Sequence, residues 1–152
     1  MTEVRAKLAE LGLALPVAAK PVAAYVPAIR TGNIVFTAGQ LPMVDGALAK
    51  TGKVGSEISI EEAKKLAEVC ALNALAAVET VADVNKIVRV VRVVGYVNGA
   101  AGFTQQPAVI NGASELFLHI WGEAGKHARS ALGVAELPLN APVEVELTVE
   151  VA

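Results

Sequence analysis

Arg129 and the glutamates that follow it are the residues of this chain whose types and spacing could do chemistry. The stretch from His127 to Val151 reads HARSALGVAELPLNAPVEVELTVEV. A guanidinium can grip a planar carboxylate with two parallel hydrogen bonds, and a carboxylate can orient a water or take its proton. Glu144, Glu146 and Glu150 alternate with Val143, Val145, Leu147, Val149 and Val151. That period of two describes a half-buried strand with its apolar face inward. Pro138 and Asn140-Ala141-Pro142 punctuate a turn. Ahead of it, Ser130 to Ala135 is short and apolar, with Arg129 at its mouth. A hairpin-like return would bring Arg129 and the Glu144 face into one neighbourhood. Taken alone, an arginine at a strand end is most often a solvated charge, and alternating glutamates most often a wet sheet face.

Other chemistries find little material. Cys70 is the single cysteine and His119 and His127 are the two histidines, so neither an internal disulfide framework nor a zinc pattern can be written. The glycines at Gly39, Gly46, Gly52 and Gly55 make no phosphate-binding motif. No metal or organic cofactor is expected. Net charge is −2 and only 4% of residues are aromatic, so a nucleic-acid partner lacks both a basic patch and a stacking platform. The N-terminal segment has charges scattered through it, unlike a secretory signal, and no apolar run of about 18 residues occurs. The expectation is a cytoplasmic protein with no membrane partner.

The elements that must position Arg129 and Glu144 can be read in order. At 152 residues and 54% hydrophobic, a single domain with a substantial core is expected, residues 1–21 forming an added helix and linker and residues 22–152 the core. Thr2 to Glu10 reads as an amphipathic helix, with Thr2 as its cap, Val4, Leu8 and Leu11 on one face and Gly12 as its stop. Pro16 and Pro21 bracket an extended link. Ala24 to Ile29 and Ile34 to Ala38 read as strands around a tight turn at Arg30-Thr31-Gly32-Asn33, the second apolar enough to be buried on both sides. Gly39 follows, marking either a bulge or turn or a close backbone approach by a chain segment or ligand. Met43 to Ser56 reads as loop. Ser59 and Glu62 have the spacing of a capping box for a helix running to about Val81, with Cys70 on its apolar stripe. Ile87 to Val97 is a third strand. In it Arg89 and Arg92 face opposite ways, or Gly95 marks a bulge. Gln105 to Gly122 is a second helix with Asn111 beside its apolar stripe, and His119 reads as a partly exposed structural residue. The result is β-β-α-β-α-β-β after an added helix: an α+β fold, a mixed sheet with both helices on one face. The other face, valine and leucine mixed with glutamate and arginine, is left for another subunit.

Two blocks carry a family resemblance. TGNIVFTAGQLP (Thr31 to Pro42) and ARSALGVAELP (Ala128 to Pro138), with VEVEL (Val143 to Leu147) after the latter, resemble the Rid family, also called YjgF or L-PSP endoribonuclease-like. The resemblance covers about Ala23 to Val151, and the N-terminal helix looks like that of a longer branch. It implies a chorismate-mutase-like fold and a homotrimer, its sheets forming a central barrel with clefts between subunits. It implies a cofactor-free deaminase of the 2-iminobutanoate/2-iminopropanoate type, converting reactive enamine and imine acids into 2-keto acids and ammonia. By the same resemblance Arg129 binds the substrate carboxylate and Glu144 positions the attacking water. Tyr25, Gly39 and Asn111 line the site, the Asn111 match requiring one extra residue before Arg129. Ala38 and Ala131 depart from the family, which often has Ser or Thr, and Cys, at these places. Ala131 retains only its backbone as a substrate contact.

An imine carbon is already electrophilic, so fixing the substrate and orienting one water could suffice for hydrolysis. Two other readings stay open at this stage. One is a trimer that binds a small carboxylate without turning it over, which Ala38 and Ala131 favour. The other is the ribonuclease or translation-inhibitor role of the family's older labels, against which charge and composition argue.

Overall fold

The computed structural model describes residues 2–21 and 23–152; Met1 and Val22, which open the two divisions expected above, lie outside the described residues. In chain order the elements are α1 (Val4–Ala9), β1 (Ala28–Thr31), β2 (Ile34–Thr37), β3 (Met43–Val44), β4 (Ala47–Leu48), α2 (Ile60–Glu79), β5 (Ile87–Asn98), α3 (Gln106–Trp121), β6 (Ala128–Val134) and β7 (Val143–Val151). The longest helix starts where its chemistry dictates. The Ser59 hydroxyl accepts from the Glu62 N–H and the Glu62 carboxylate accepts from the Ser59 N–H, satisfying donors that the first turn leaves without partners. α1 begins differently from the expected Thr2 cap. Its N-cap is Glu3 without a side-chain bond, and the Val4 N–H donates instead to Asn85 Oδ1 at 2.9 Å. Val4 and Leu8 are buried, whereas Leu11 lies beyond the helix and is exposed. Gly12, at φ +70, ends it as expected.

Five strands form one sheet in the order β1-β2-β7-β5-β6. β7, last in sequence, sits at the centre, antiparallel to both β2 and β5. β6 pairs in parallel with β5, α3 making the crossover. β1 starts at Ala28, four residues later than the pattern suggested, after Pro27. β3 and β4 form a hairpin inside the expected loop, turned by Asp45 and Gly46, both at positive φ.

One face of the sheet carries Val35, Val90, Val93, Val143, Val145, Leu147 and Val149, in a single core with the apolar stripes of α2 and α3. The other carries Glu144, Glu146, Arg92 and Tyr96 beside Ile29 (60% exposed), Phe36 (45%) and Leu132 (48%). Thus β2 is covered on one side only within the chain, not on both. β5 is irregular at Val88 and Val91, where its register against β7 shifts. The added residue at Val91 places Arg89 opposite Glu150 and Arg92 opposite Thr148, so both arginines share the open face instead of dividing between faces. Gly95 is not the bulge. A Cβ there would overlap the Ile110 side chain, so glycine lets α3 settle onto the sheet.

Cys70 is fully buried, its thiol pushed well above the ordinary value chiefly by burial, with its Sγ 3.7 Å from the Val143 carbonyl. It is a small apolar filler, and Cys70→Ala is expected to cost roughly 1–2 kcal/mol in denaturant unfolding while leaving activity in place. Loss of activity from a folded variant would put the chemistry at α2 instead.

Candidate active site

The sequence candidates fall into two clusters. In the first, α3 presents Asn111 and Ser114 on one face, three residues apart, towards the helix-facing side of β6. Arg129 stands there, opposite Val93 of β5. Its Nη1 donates to Asn111 Oδ1 at 2.8 Å and to Ser114 Oγ at 3.2 Å. Those bonds use both Nη1 hydrogens. Among the described residues Nε and Nη2 have no partner, and that edge is the one that grips a carboxylate side-on. The added residue between Asn111 and Arg129 falls in a connection that holds a 3₁₀ turn, Gly122–Gly125, and the two side chains still meet. Ala131, two residues along β6, packs partly buried against the core.

In the second cluster Gly39 follows β2, and Gln40 bridges to Val145 of β7. A Cβ on Gly39 would overlap the Glu144 carboxylate, so of the two sequence readings the close approach holds and the approaching group is Glu144. A cavity of about 180 Å³ adjoins it, lined by Tyr25, Pro27, Gly39, Gln40 and Leu139 among others. Leu139 and Asn140 are both left-handed, at φ +59 and +58. Buried Asn98 braces this connection through its Nδ2, 3.1 Å from the Ala141 carbonyl, and through its Oδ1, which accepts from Lys53 Nζ at 2.7 Å. Burial, then the neighbouring Glu146, raises the Glu144 carboxyl above its ordinary value, moving it towards the range where a carboxylate serves as a general base.

The hairpin-like return expected between Arg129 and Glu144 does not form. β5 lies between β6 and β7, pairing in parallel with one and antiparallel with the other. Arg129 is level with Val93 and Glu144 with Tyr96. By strand spacing and rise their backbones are roughly 14 Å apart, with the side chains on opposite faces of the sheet. The structure therefore joins Arg129 with Asn111, and Glu144 with Gly39, while Tyr25 lines the cavity beside Gly39; the two sets do not meet within a chain. A cavity of about 520 Å³ at the opposite end of β5, beside Trp121 and Ile87, contains none of these residues.

Two polar residues of the first cluster are not among the site candidates that the sequence offers. Ser114 is buried and His127 half-buried, with His127 Nε2 2.9 Å from Ser114 Oγ and Nδ1 2.6 Å from the Gly125 carbonyl. The signal was present: Ser114 is one helical turn from Asn111. His119 instead pairs with Glu10 of the α1 region at 3.0 Å, the partly exposed structural role expected of it. Among the described residues no three His, Cys, Asp or Glu side chains group as metal ligands, and no helix is long and apolar enough to cross a membrane.

Comparison with known proteins adds three relatives and a family. A family model described as "YjgF/chorismate mutase-like, putative endoribonuclease" matches residues 5–151. Protein TCP17 of Trypanosoma cruzi is 40% identical over 149 residues, covering 97% of this chain and 93% of its own. The crystal structure of Atu1372 from Agrobacterium tumefaciens, a protein of unknown function, superposes with a TM-score of 0.91 at 44% identity, over 98% of this chain and 92% of that one. A "putative endoribonuclease" from Shewanella oneidensis MR-1 superposes at 0.92 with 30% identity, over 97% and 99%.

Proposed function

The chain belongs to the YjgF/chorismate-mutase-like family, and from that membership we propose that it is a cofactor-free deaminase hydrolysing 2-imino acids, and the enamines in equilibrium with them, to 2-keto acids and ammonia. One observation carries the reading: Arg129 is fixed through Nη1 by Asn111 and Ser114 while its Nε–Nη2 edge is left for a carboxylate. Glu144 over Gly39 supplies the second requirement, a carboxylate with a raised pKa that can hold and deprotonate a water. Water adds to the imine carbon, its proton passing to Glu144. Glu144 returns that proton to the nitrogen to give the tetrahedral aminoalcohol, then carries the hydroxyl proton to the nitrogen as the C–N bond breaks, so that the keto acid and ammonia leave. Neither a hydride nor a metal enters this balance.

The two clusters lie on opposite faces of one sheet, so the site requires a second copy of the chain. A homotrimer in which the open face of one subunit packs against the β6 edge of the next would set the Arg129 cluster against the Glu144, Gly39 and Tyr25 cluster of its neighbour. Ile29, Phe36 and Leu132 support it, since water-exposed apolar side chains on a sheet face favour burial. Light scattering is expected to give three times the 15.6 kDa chain mass, and a monomer that turns over imines would refute the shared site.

The decisive assay generates a 2-imino acid in place with an amino-acid oxidase and follows keto-acid and ammonia release. Acceleration over the spontaneous rate is the expected result. Keto-acid binding without acceleration would leave a carboxylate-binding protein, the reading that Ala38 and Ala131 favour. The ribonuclease role in the Shewanella protein's name has weaker support here. Of two histidines, His119 Nε2 is taken up by the Glu10 carboxylate at 3.0 Å and the Lys7 carbonyl at 3.1 Å, and His127 is held through both ring nitrogens, so no pair of imidazoles stands ready for acid–base cleavage of RNA.

A further inference from the structure

Arginine side chains are long, and holding one in a single orientation takes partners that are themselves held. Asn111 is one partner of Arg129. The other, Ser114, is only 9% exposed, and its hydroxyl is shared between Arg129 Nη1 at 3.2 Å and His127 Nε2 at 2.9 Å. Proton bookkeeping assigns the direction of each bond. The Gly125 carbonyl only accepts, so at 2.6 Å His127 Nδ1 carries a hydrogen and donates it. In the neutral ring Nε2 is then a lone pair, which accepts the Ser114 hydroxyl hydrogen. The Ser114 oxygen, its hydrogen committed to His127, turns its lone pairs to the guanidinium. Phe117 of α3 sets its ring edge-on to the imidazole, centroids 6.0 Å apart, and limits ring rotation. Burial, with the Arg129 charge adding to it, lowers the His127 pKa and favours the neutral ring that this arrangement needs.

We propose that Ser114 and His127 are positioning residues for the carboxylate-binding arginine, forming a one-way chain of hydrogen bonds from Arg129 through Ser114 and His127 to the Gly125 carbonyl. The proposal rests on the reading of Arg129 as a carboxylate clamp and names what holds the clamp. It also assigns no nucleophilic role to Ser114, despite a serine–histidine pair: the hydroxyl is buried against the guanidinium and its acceptor sites face inward. The chain bridges α3, the connection after it and β6, so it ties the orientation of Arg129 to the docking of α3 on the sheet.

The test has two independent readouts. Nitrogen-resolved NMR of the imidazole in the wild-type protein at neutral pH is expected to show the Nδ1–H tautomer of His127. Pyruvate, as a plain keto-acid probe, is expected to bind about tenfold more weakly to Ser114→Ala and to His127→Asn, the scale of one lost hydrogen bond to a held charge. In turnover the loss should fall on KM, with kcat within about twofold, because the clamp binds the carboxylate alike in ground and transition states. His127→Gln, whose side-chain carbonyl can accept from Ser114, is expected to recover most of the affinity, and thermal midpoints confirm that each variant is folded. An Nε2–H tautomer, or wild-type pyruvate binding by Ser114→Ala and His127→Asn while Arg129→Ala loses it, overturns the positioning chain and leaves the clamp standing. Undiminished binding by Arg129→Ala overturns the clamp and the chain together.

Discussion

Arg129→Ala is expected to abolish imine hydrolysis, and Arg129→Lys to cut kcat/KM severely, with the fold and the assembly intact. The reason lies in geometry. Asn111 and Ser114 take both hydrogens of Nη1, and the Nε–Nη2 edge then offers two parallel donors. Lysine has one compact charge, no fork, and cannot satisfy Asn111 and Ser114 while also gripping two carboxylate oxygens. Each charge-assisted hydrogen bond lost is worth about 1.5–3 kcal/mol, a factor of roughly ten to a hundred or more in kcat/KM. Keto-acid and ammonia release, measured with the oligomer mass checked in parallel, decides the matter. Near-wild-type rates in both variants would return Arg129 to the ordinary solvated charge that composition suggests and would remove the deaminase assignment.

Glu144→Gln is expected to lower kcat by about a hundredfold or more while changing KM little, since the proposed partner of Glu144 is the water and not the substrate. The pH profile should carry the same signature. Below its raised pKa the carboxyl is protonated and cannot take the water's proton, so the wild-type rate falls as pH drops through that value, on a limb lying above the ordinary carboxylate range. The limb should vanish in the variant. Stability moves the other way. Because the folded state holds this proton more tightly than the unfolded chain does, the contribution of Glu144 is full below the ordinary carboxylate pKa and is lost as pH rises through the folded value. Removing the charge spares the fold that loss, so Glu144→Gln should melt no lower than wild type at neutral pH. A variant with unchanged kcat would sink Glu144 as the water's partner. One that unfolds early would instead make it a structural residue.

Local patterns in the sequence determined most of the elements, because those elements are made by residues near each other in the chain. Ser59 and Glu62 start α2 where a capping box must; the alternation from Val143 to Val151 is β7 at the residues read; Gly12 stops α1; Cys70 falls on the buried stripe of α2. The α+β layer follows from their order, and the motifs around Gly39 and Arg129 pointed to the family. Tertiary structure decided what depends on partners distant in sequence. Placing β7 at the centre and β5 between it and β6 is a competition among all strands for buried apolar neighbours, and no local signal records its outcome. That competition turned an expected hairpin-like return into two clusters on opposite faces of the sheet. A single residue at Val91 turned Arg89 and Arg92 to the same face, since one inserted residue inverts a strand's alternation. Asn85 rather than Thr2 caps α1, through a bond across the fold. Ser114 and His127 stand one helical turn and two residues from recognised candidates, yet the sequence does not say that α3 packs over β6. Only that packing makes the Arg129 guanidinium one end of a hydrogen-bonded chain.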